Sequence, residues 1–546
     1  MPISRRNLIQ ASAAGSALGG AALLATASSS NAVEMPAMEM PGGPIVEQTP
    51  LDPARLPKPF TRVFSTPNIA KPVFQSIDTD YYVMDMLPVD ANIIPGMPTT
   101  MWGYNGEIPA PTIDVMQGRK VVVRHSNHLP NHPFLGYATH TSVHLHGSAS
   151  LPQYDGYADD ITKQGEWKDY HYPNHQNART LWYHDHGVHQ TSTNAFMGLA
   201  GMYRMFDPQE RALPLPKGKY DVPLIVADRA FDSNGQLLYD GEDNAGTMGE
   251  VNLVNGVPWP VMQVERRKYR FRILNGAISR SYRWQLSDRS AMTIIATDGG
   301  LVPKPISVTQ FRHAPAERYE IIIDFAKYPL PVAGVPTRIV LQNLSNKNNE
   351  DFANSGIVMA FDVMANATDT TNNTIPAVLA GNNDVMNLPV SASVQTRALK
   401  FHRSNGEWKV NDRTWADVQA SGFTEVVSNP KLNDVEIWTF ENSSGGWFHP
   451  VHVHLVDFKI LSRNGMPPMP HERGPKDVVY LGEGETVKVI ARYGPHIGKY
   501  MIHCHNLSHE DHDMMAQFQV GTGGPDPITT APAAALPAPV SFPPAP

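Results

Sequence analysis

Cysteine is almost absent: a chain of 546 residues has one, Cys504. No intrachain disulfide can form, so this is not a disulfide-stapled scaffold, and the lone thiol either serves chemistry or lies inert in a core. Positive charge is also in short supply. The 44 Lys and Arg residues stand against 52 Asp and Glu, a formal charge of -8, which excludes the basic footprint of a DNA or RNA binder. Helical periodicity is scarce. The apolar stretch near the start is short, rich in Gly and Ser, and ends in polar Ser28-Ser29-Ser30-Asn31, which argues against a membrane anchor. Histidine is nearly missing from the middle of the chain, where His313 stands alone between His189 and His402.

What the chain has in abundance is turn and strand signal. Gly (41) and Pro (48) punctuate short runs such as Lys120-Val121-Val122-Val123-Arg124 and Arg318-Tyr319-Glu320-Ile321-Ile322-Ile323, a pattern that reads as all-β. The length exceeds one ordinary core, and at roughly 150 residues per domain it divides into about three or four. Residues 1–27 resemble a twin-arginine export signal: Ser4-Arg5-Arg6-Asn7-Leu8-Ile9, an Ala/Gly-rich stretch, then Ala25-Thr26-Ala27, with cleavage expected near Ala27. Such a signal carries folded, cofactor-loaded chains to the periplasm or the exterior and leaves no membrane span after cleavage. An arm is expected over 28–59 and β-sandwich domains over 60–208, 209–364 and 398–520. An Asn/Thr/Ala-rich linker joins the last two over 365–397, and the Pro/Ala-rich tail, 521–546, is expected to be disordered.

The remaining histidines cluster. Eleven of the 22 lie between His125 and His189 and nine between His449 and His512, a distribution that surface solvation does not produce. Four motifs stand out: His144-Leu145-His146-Gly147, His184-Asp185-His186, His449-Pro450-Val451-His452-Val453-His454, and His503-Cys504-His505 with His509 and Met514 beyond it. Side chains alternate along a strand, so each His-x-His pair turns two imidazoles the same way. Cys504 then points opposite to His503 and His505 and serves a different metal. His449, of opposite parity to His452 and His454, belongs with Cys504. With His509 and Met514 these make the ligand set of a blue-copper electron-transfer site with a weak axial thioether. Zinc sites use paired cysteines or leave one position open, and neither pattern explains eight further histidines.

In content, order and spacing these motifs resemble the three-domain multicopper oxidases, which include laccases, spore-coat oxidases and bilirubin oxidases. The likeness to bilirubin oxidases is carried by Leu181-Trp182-Tyr183-His184-Asp185-His186, by His452-Val453-His454-Leu455-Val456-Asp457-Phe458, and by His503-Cys504-His505-Asn506-Leu507 continuing to Met514-Met515. Lys168-Asp169-Tyr170 and Arg267-Lys268-Tyr269-Arg270-Phe271-Arg272 add to it, and it spans about Phe60 to Val520. The resemblance implies three cupredoxin-like Greek-key domains in a monomer and four coppers per chain. His449, Cys504 and His509 would hold the electron-accepting type 1 copper, with Met514 rather than Met515 axial. His144 and His452 would hold the type 2 copper. The type 3 pair would take His146, His184 and His505 on one ion and His186, His454 and His503 on the other.

The reaction so implied is one-electron oxidation of organic reductants such as phenols, aromatic amines and bilirubin-like tetrapyrroles, coupled to reduction of dioxygen to water. That takes four protons, and the family assigns their delivery to acidic positions matched by Asp155 and Glu510; the plainer alternatives are a turn carboxylate and a hydrogen bond that steadies a ligand. Trp447, two residues before His449, either relays electrons or lines the substrate surface, or simply packs. Two other readings stand beside this one: an oxidase of cuprous, ferrous or manganous ions, hinted at by Met466-Pro467-Pro468-Met469, and a copper-binding protein without turnover.

Overall fold

The structure, a computed structural model, describes residues 48–241, 243–379 and 384–542. The export segment expected at 1–27 lies outside the described residues. Among the described residues the chain is built mostly of strands, arranged as three consecutive pairs of sheets, each pair closing on its own core. No helix there is long and apolar enough to cross a membrane. One feature repeats in all three pairs. A strand lies parallel to a later one in the same sheet: Thr79–Ile94 beside Lys120–Asn127, Asp221–Arg229 beside Lys268–Asn275, and Gln395–Ser404 beside Val435–Asn442. This is the Greek-key crossover of a cupredoxin-like domain, used three times.

The outer two domains each carry a four-stranded sheet that faces the rest of the molecule. In the first, the order is Ala110–Met116, Ala200–Phe206, Arg179–Asp185, Val143–His146; in the third, Val478–Leu481, His449–Val453, Gly498–Cys504, Met515–Val520. Arg179–Asp185 is buried at every residue, because both of its faces are covered. Leu181 and Tyr183 fill the core of the first domain, while Trp182, of opposite parity, joins Ile225, Leu274 and Ala316 of the middle domain and Val478 of the third in a small apolar junction. His184 shares the parity of Trp182, so strand alternation alone delivers it to the place where three domains meet.

One expectation is corrected. The tail was expected to be disordered from 521 on, yet its described part is docked: Ala534–Ala535 pairs antiparallel with Trp167 and Glu166 at the edge of the first domain's sheet. The Arg124 guanidinium lies between the rings of Trp167 and Phe542, 4.3 and 4.2 Å from their centroids. Composition reports how little the tail can bury by itself; it is silent about an open sheet edge and a cation that a tail can cover. The described part of 365–397, where a linker is expected, is anchored at several points. Residues 365 and 366 continue the strand Ile357–Asn366, Leu379 enters the second core, and Val385 and Leu388 pack with Val435 and Ile490.

Candidate metal centre

The register of the two four-stranded sheets sets the site. His184 stands directly across from His144, and His452 across from His503, while Cys504 faces Val451. Val451, Ile502 and Cys504 point into the third domain's core together with Met514; His452 and His503 point out of it. His186, His454 and His505 sit just past the ends of their strands, and the helix Leu507–Asp511 supplies His509 and Glu510.

The result is two separate sets of donors. In the first, His449 Nδ1 lies 3.3 Å from Cys504 Sγ, His509 Nδ1 lies 3.6 Å from that sulfur, and the two nitrogens are 3.3 Å apart. All three residues are fully buried. Met514 is stitched to the same place by its backbone, which accepts from Cys504 N and donates to His509 O. Burial pushes the Cys504 thiol well above its ordinary range, as expected of a thiol in an apolar core with no cation beside it; a bound metal ion reverses that and takes the thiolate outright. The outer nitrogens are occupied: His509 Nε2 donates to Ala245 O at 3.2 Å, and His449 Nε2 lies 2.6 Å from Ser444 Oγ. Trp408 stacks on His509 at 3.9 Å between centroids, and Trp447 meets the same ring edge-on at 5.5 Å.

The second set gathers eight imidazoles, none more than 1% exposed. Their donor atoms fall into trios within 4.8 Å: His146, His184 and His505; His186, His454 and His503; and His144 with His452 and His454. His144 and His452 approach through Nε2 at 3.4 Å, and His503 Nε2 is 3.2 Å from the Nε2 atoms of both His186 and His454. Two nitrogens bound to one ion at about 2.0–2.1 Å stand about this far apart at a roughly tetrahedral angle. Burial lowers the pKa of each of these imidazoles for which a shift is resolved, His144, His146, His184, His186, His452, His454 and His505, so they are neutral and offer lone pairs. His146 Nδ1, His184 Nε2, His186 Nδ1 and both nitrogens of His505 are buried without a hydrogen-bond partner. Unpaired buried nitrogens cost free energy unless something binds them, and a metal cluster is what this donor set fits.

Around the cluster, carbonyls and carboxylates take the outward N–H groups. His184 Nδ1 donates to Asp185 O, and His454 Nδ1 to Asp155 Oδ2 at 2.8 Å. Glu510 Oε2 lies 2.8 Å from His503 Nδ1, and Oε1 lies 3.4 Å from His186 Nε2. Burial raises Asp155 well above the carboxylate range; it works to raise Glu510 too, but His503 and His186 outweigh it and hold Glu510 low. Asp185 accepts from Ser142 N, Gly187 N and the Asn194 amide and so braces the loop that carries His186. His313, alone in the middle domain, accepts from Trp284 Nε1 far from these histidines in role. Sequence reasoning missed Asp477, Arg318, Ser444 and Trp408. For Asp477 there was a signal in Lys476-Asp477-Val478-Val479, where two charges precede a strand that is otherwise apolar.

Three cupredoxin-like domains with a Cys/His set in the third and an eight-histidine set shared by the first and third define a copper oxidoreductase. Family models described as multicopper oxidase match residues 87–210, 217–348 and 387–524. The chain belongs to the multicopper oxidase family. It is 41% identical over 458 residues to the bilirubin oxidase of Albifimbria verrucaria, covering 80% of this chain and 76% of that protein. Identity to the laccase of Bacillus subtilis is 34% over 523 residues, 84% of this chain and 98% of that one. Among solved structures, the laccase of Pediococcus acidilactici Pa5930 superposes with a TM-score of 0.75 at 26% identity, over 87% of this chain and 96% of that one.

Proposed function

We propose that this chain takes electrons singly from organic reductants, phenols, aromatic amines or bilirubin-like tetrapyrroles, and passes them in fours to dioxygen, forming water. His449, Cys504, His509 and Met514 would hold a type 1 copper. His144 and His452 would hold a type 2 copper, and the trios His146/His184/His505 and His186/His454/His503 a type 3 pair. Copper bound there supplies one-electron exchange at the sulfur-ligated site and dioxygen reduction at the cluster. The observation that carries the reading is the placement of Cys504: its sulfur belongs to one donor set, while His503 and His505, its covalent neighbours, belong to one trio each. The peptide itself therefore connects the two sets by a short through-bond path.

The remaining residues bind, orient and protonate. The cluster imidazoles are buried where the domains meet, which keeps bulk water away from them. Two waters take four protons, and Asp155 and Glu510, both in contact with cluster histidines, are the carboxyl groups that would relay them. The bilirubin oxidase and laccase names of the relatives support an organic reductant; the twin-arginine reading of residues 1–27 supports work in the periplasm or outside the cell. The test is copper reconstitution followed by oxygen consumption with a phenolic dye, bilirubin and Cu(I) side by side. Four coppers per chain, intense blue colour and faster turnover of an organic reductant are expected. Faster turnover of Cu(I) would move the chain to the metal-ion oxidases, and no oxygen uptake with any reductant would leave a binding protein.

A further inference from the structure

Two aspartates hold the cluster from opposite sides in the same way. Asp155, in the first domain, accepts from His144 Nδ1 through its backbone carbonyl and from His454 Nδ1 of the third domain through its carboxylate. Asp477, in the third domain, accepts from His452 Nδ1 through its backbone carbonyl, at 2.9 Å, and from His146 Nε2 of the first domain through Oδ1, at 3.3 Å. Each backbone thus serves the imidazole of its own domain and each side chain reaches across to the partner domain. Exchanging the two domains exchanges His144 with His452, His146 with His454, and Asp155 with Asp477.

Asp477 differs in two respects: it meets His146 through Nε2 where Asp155 meets His454 through Nδ1, and the middle domain grips it. Arg318 Nη1 donates to Oδ1 at 2.7 Å and Nη2 to Oδ2 at 2.5 Å, while Arg318 Nε donates to Thr180 O on the strand that carries His184. Both residues are almost wholly buried. Gly147 makes room for the pair, since a Cβ there would lie 2.6 Å from both Arg318 Nη2 and Asp477 Oδ2. Although Asp477 also falls within metal-ligand distance of His146 and His452, both of its oxygens are spent on the guanidinium, which makes it an acceptor for imidazoles rather than a ligand.

We infer that Asp477, locked by Arg318, is a positioning residue for the cluster: it places the proton of His146 on Nε2 and that of His452 on Nδ1, turning the opposite nitrogens of both rings inward. The two-pronged guanidinium fixes the carboxylate plane, so one lone pair of Oδ1 stays aimed at His146. His146 Nδ1, the nitrogen left inward, is one of the buried atoms without a partner. Through this ion pair the middle domain, which supplies no member of the donor sets among the described residues, bears on two groups of the cluster. The inference rests on the copper reading above.

The experiment uses the full chain, loaded with copper, as wild type, Asp477→Asn and Arg318→Lys. Copper per chain is measured after dialysis against a chelator, the colourless paramagnetic copper is followed by electron paramagnetic resonance, and blue absorbance serves as internal control. In Asp477→Asn one oxygen becomes an NH2 that cannot accept from Arg318, so the fork no longer fixes the group, and cluster copper should be held 10- to 100-fold less tightly, roughly the loss seen when a ligand's outer partner is removed, with an altered colourless signal and unchanged blue absorbance. Arg318→Lys keeps the charge but not the fork and should fall between. Wild-type copper retention and an unaltered signal in Asp477→Asn would overturn the inference alone; if that variant does not fold, the same result in Arg318→Lys overturns it. A wild-type chain that binds no copper overturns the copper reading and the inference together.

Discussion

Asp155 and Asp477 occupy equivalent places on the two sides of the cluster, yet their carboxylates are not equally free. Both oxygens of Asp477 receive hydrogen bonds from Arg318, whereas Asp155 Oδ1 is buried and accepts none among the described residues. An oxygen with an open lone pair beside the cluster can take up and release a proton; one pinned by a guanidinium cannot do so without breaking a buried ion pair. Both residues accept from imidazoles of the site, and under the function proposed above the open oxygen makes Asp155, rather than Asp477, the candidate for proton transfer on this side.

Replacing Asp155 by Asn separates these two tasks. The amide oxygen can still accept from His454 Nδ1, and the backbone carbonyl still accepts from His144, so copper content and blue colour should survive. Reoxidation of the reduced protein by dioxygen should slow by about 10²–10⁴-fold, the usual scale for losing a positioned proton donor. Stopped-flow recovery of the blue band measures it, and an unchanged recovery rate would refute the proton role.

Cys504→Ser tests the connection between the donor sets. A hydroxyl of nearly the same size leaves the core filled but cannot supply a thiolate. Blue colour and turnover of organic reductants should both vanish, while the cluster keeps its copper and its colourless paramagnetic signal. Oxidation at the wild-type rate would sink the mechanism.

How much of this was legible beforehand follows from which physical rule was at work. Strand parity needs no neighbour, so it separated Cys504 from His503 and His505 and put His449 with the sulfur before any fold was known. Pairing across domains is different. Nothing local to Asp477 says that it faces His146, more than 300 positions away, or that Arg318 from the middle domain will hold it. Trp408 was passed over for the same reason: its partners, His509 and the carbonyl of Asn244, belong to distant segments. The tail's own composition carries no sign of the sheet edge that receives it.

Asp221 gives a pH dependence away from the metal centre. Burial acts to raise its pKa, but Arg272, bonded to both carboxylate oxygens at 2.7 and 2.9 Å, and nearby Arg270 outweigh that and hold it below the usual carboxylate range. A depressed folded-state value stabilises the fold above the unfolded pKa of about 3.9, and the contribution fades as pH falls toward the folded value. Asp221→Asn should therefore cost about 3–5 kcal/mol near neutrality, the usual penalty for breaking a buried pair. The gap in apparent Tm between variant and wild type should close as pH drops below about 4. A gap that is constant from pH 7 to pH 3 would show that the carboxylate charge is not what matters.

The docked tail makes a last prediction that separates stability from chemistry. A chain ending at Thr530 loses the pairing of Ala534–Ala535 with the strand Glu166–Tyr172, the bond from Trp167 Nε1 to Ala535 O at 3.2 Å, and the Phe542 ring over Arg124. Arg124 also loses the carbonyls of Pro539 and Ser541, to which Nη1 and Nη2 donate, but it keeps its bonds to both oxygens of Asp169, so no buried charge is orphaned, and the cost is a short strand, two hydrogen bonds and a cation–π contact, about 2–4 kcal/mol together. The affected sheet is the one opposite Val143–His146 and Arg179–Asp185, the strands that present histidines, and the domain's apolar core lies between the two sheets. Truncation should accordingly lower the apparent Tm by a few degrees while copper content and kcat remain at wild-type values. Loss of copper or of turnover at unchanged Tm would mean that the strap acts on the cluster through the first domain, and the tail would have to be counted with the metal centre rather than with the scaffold.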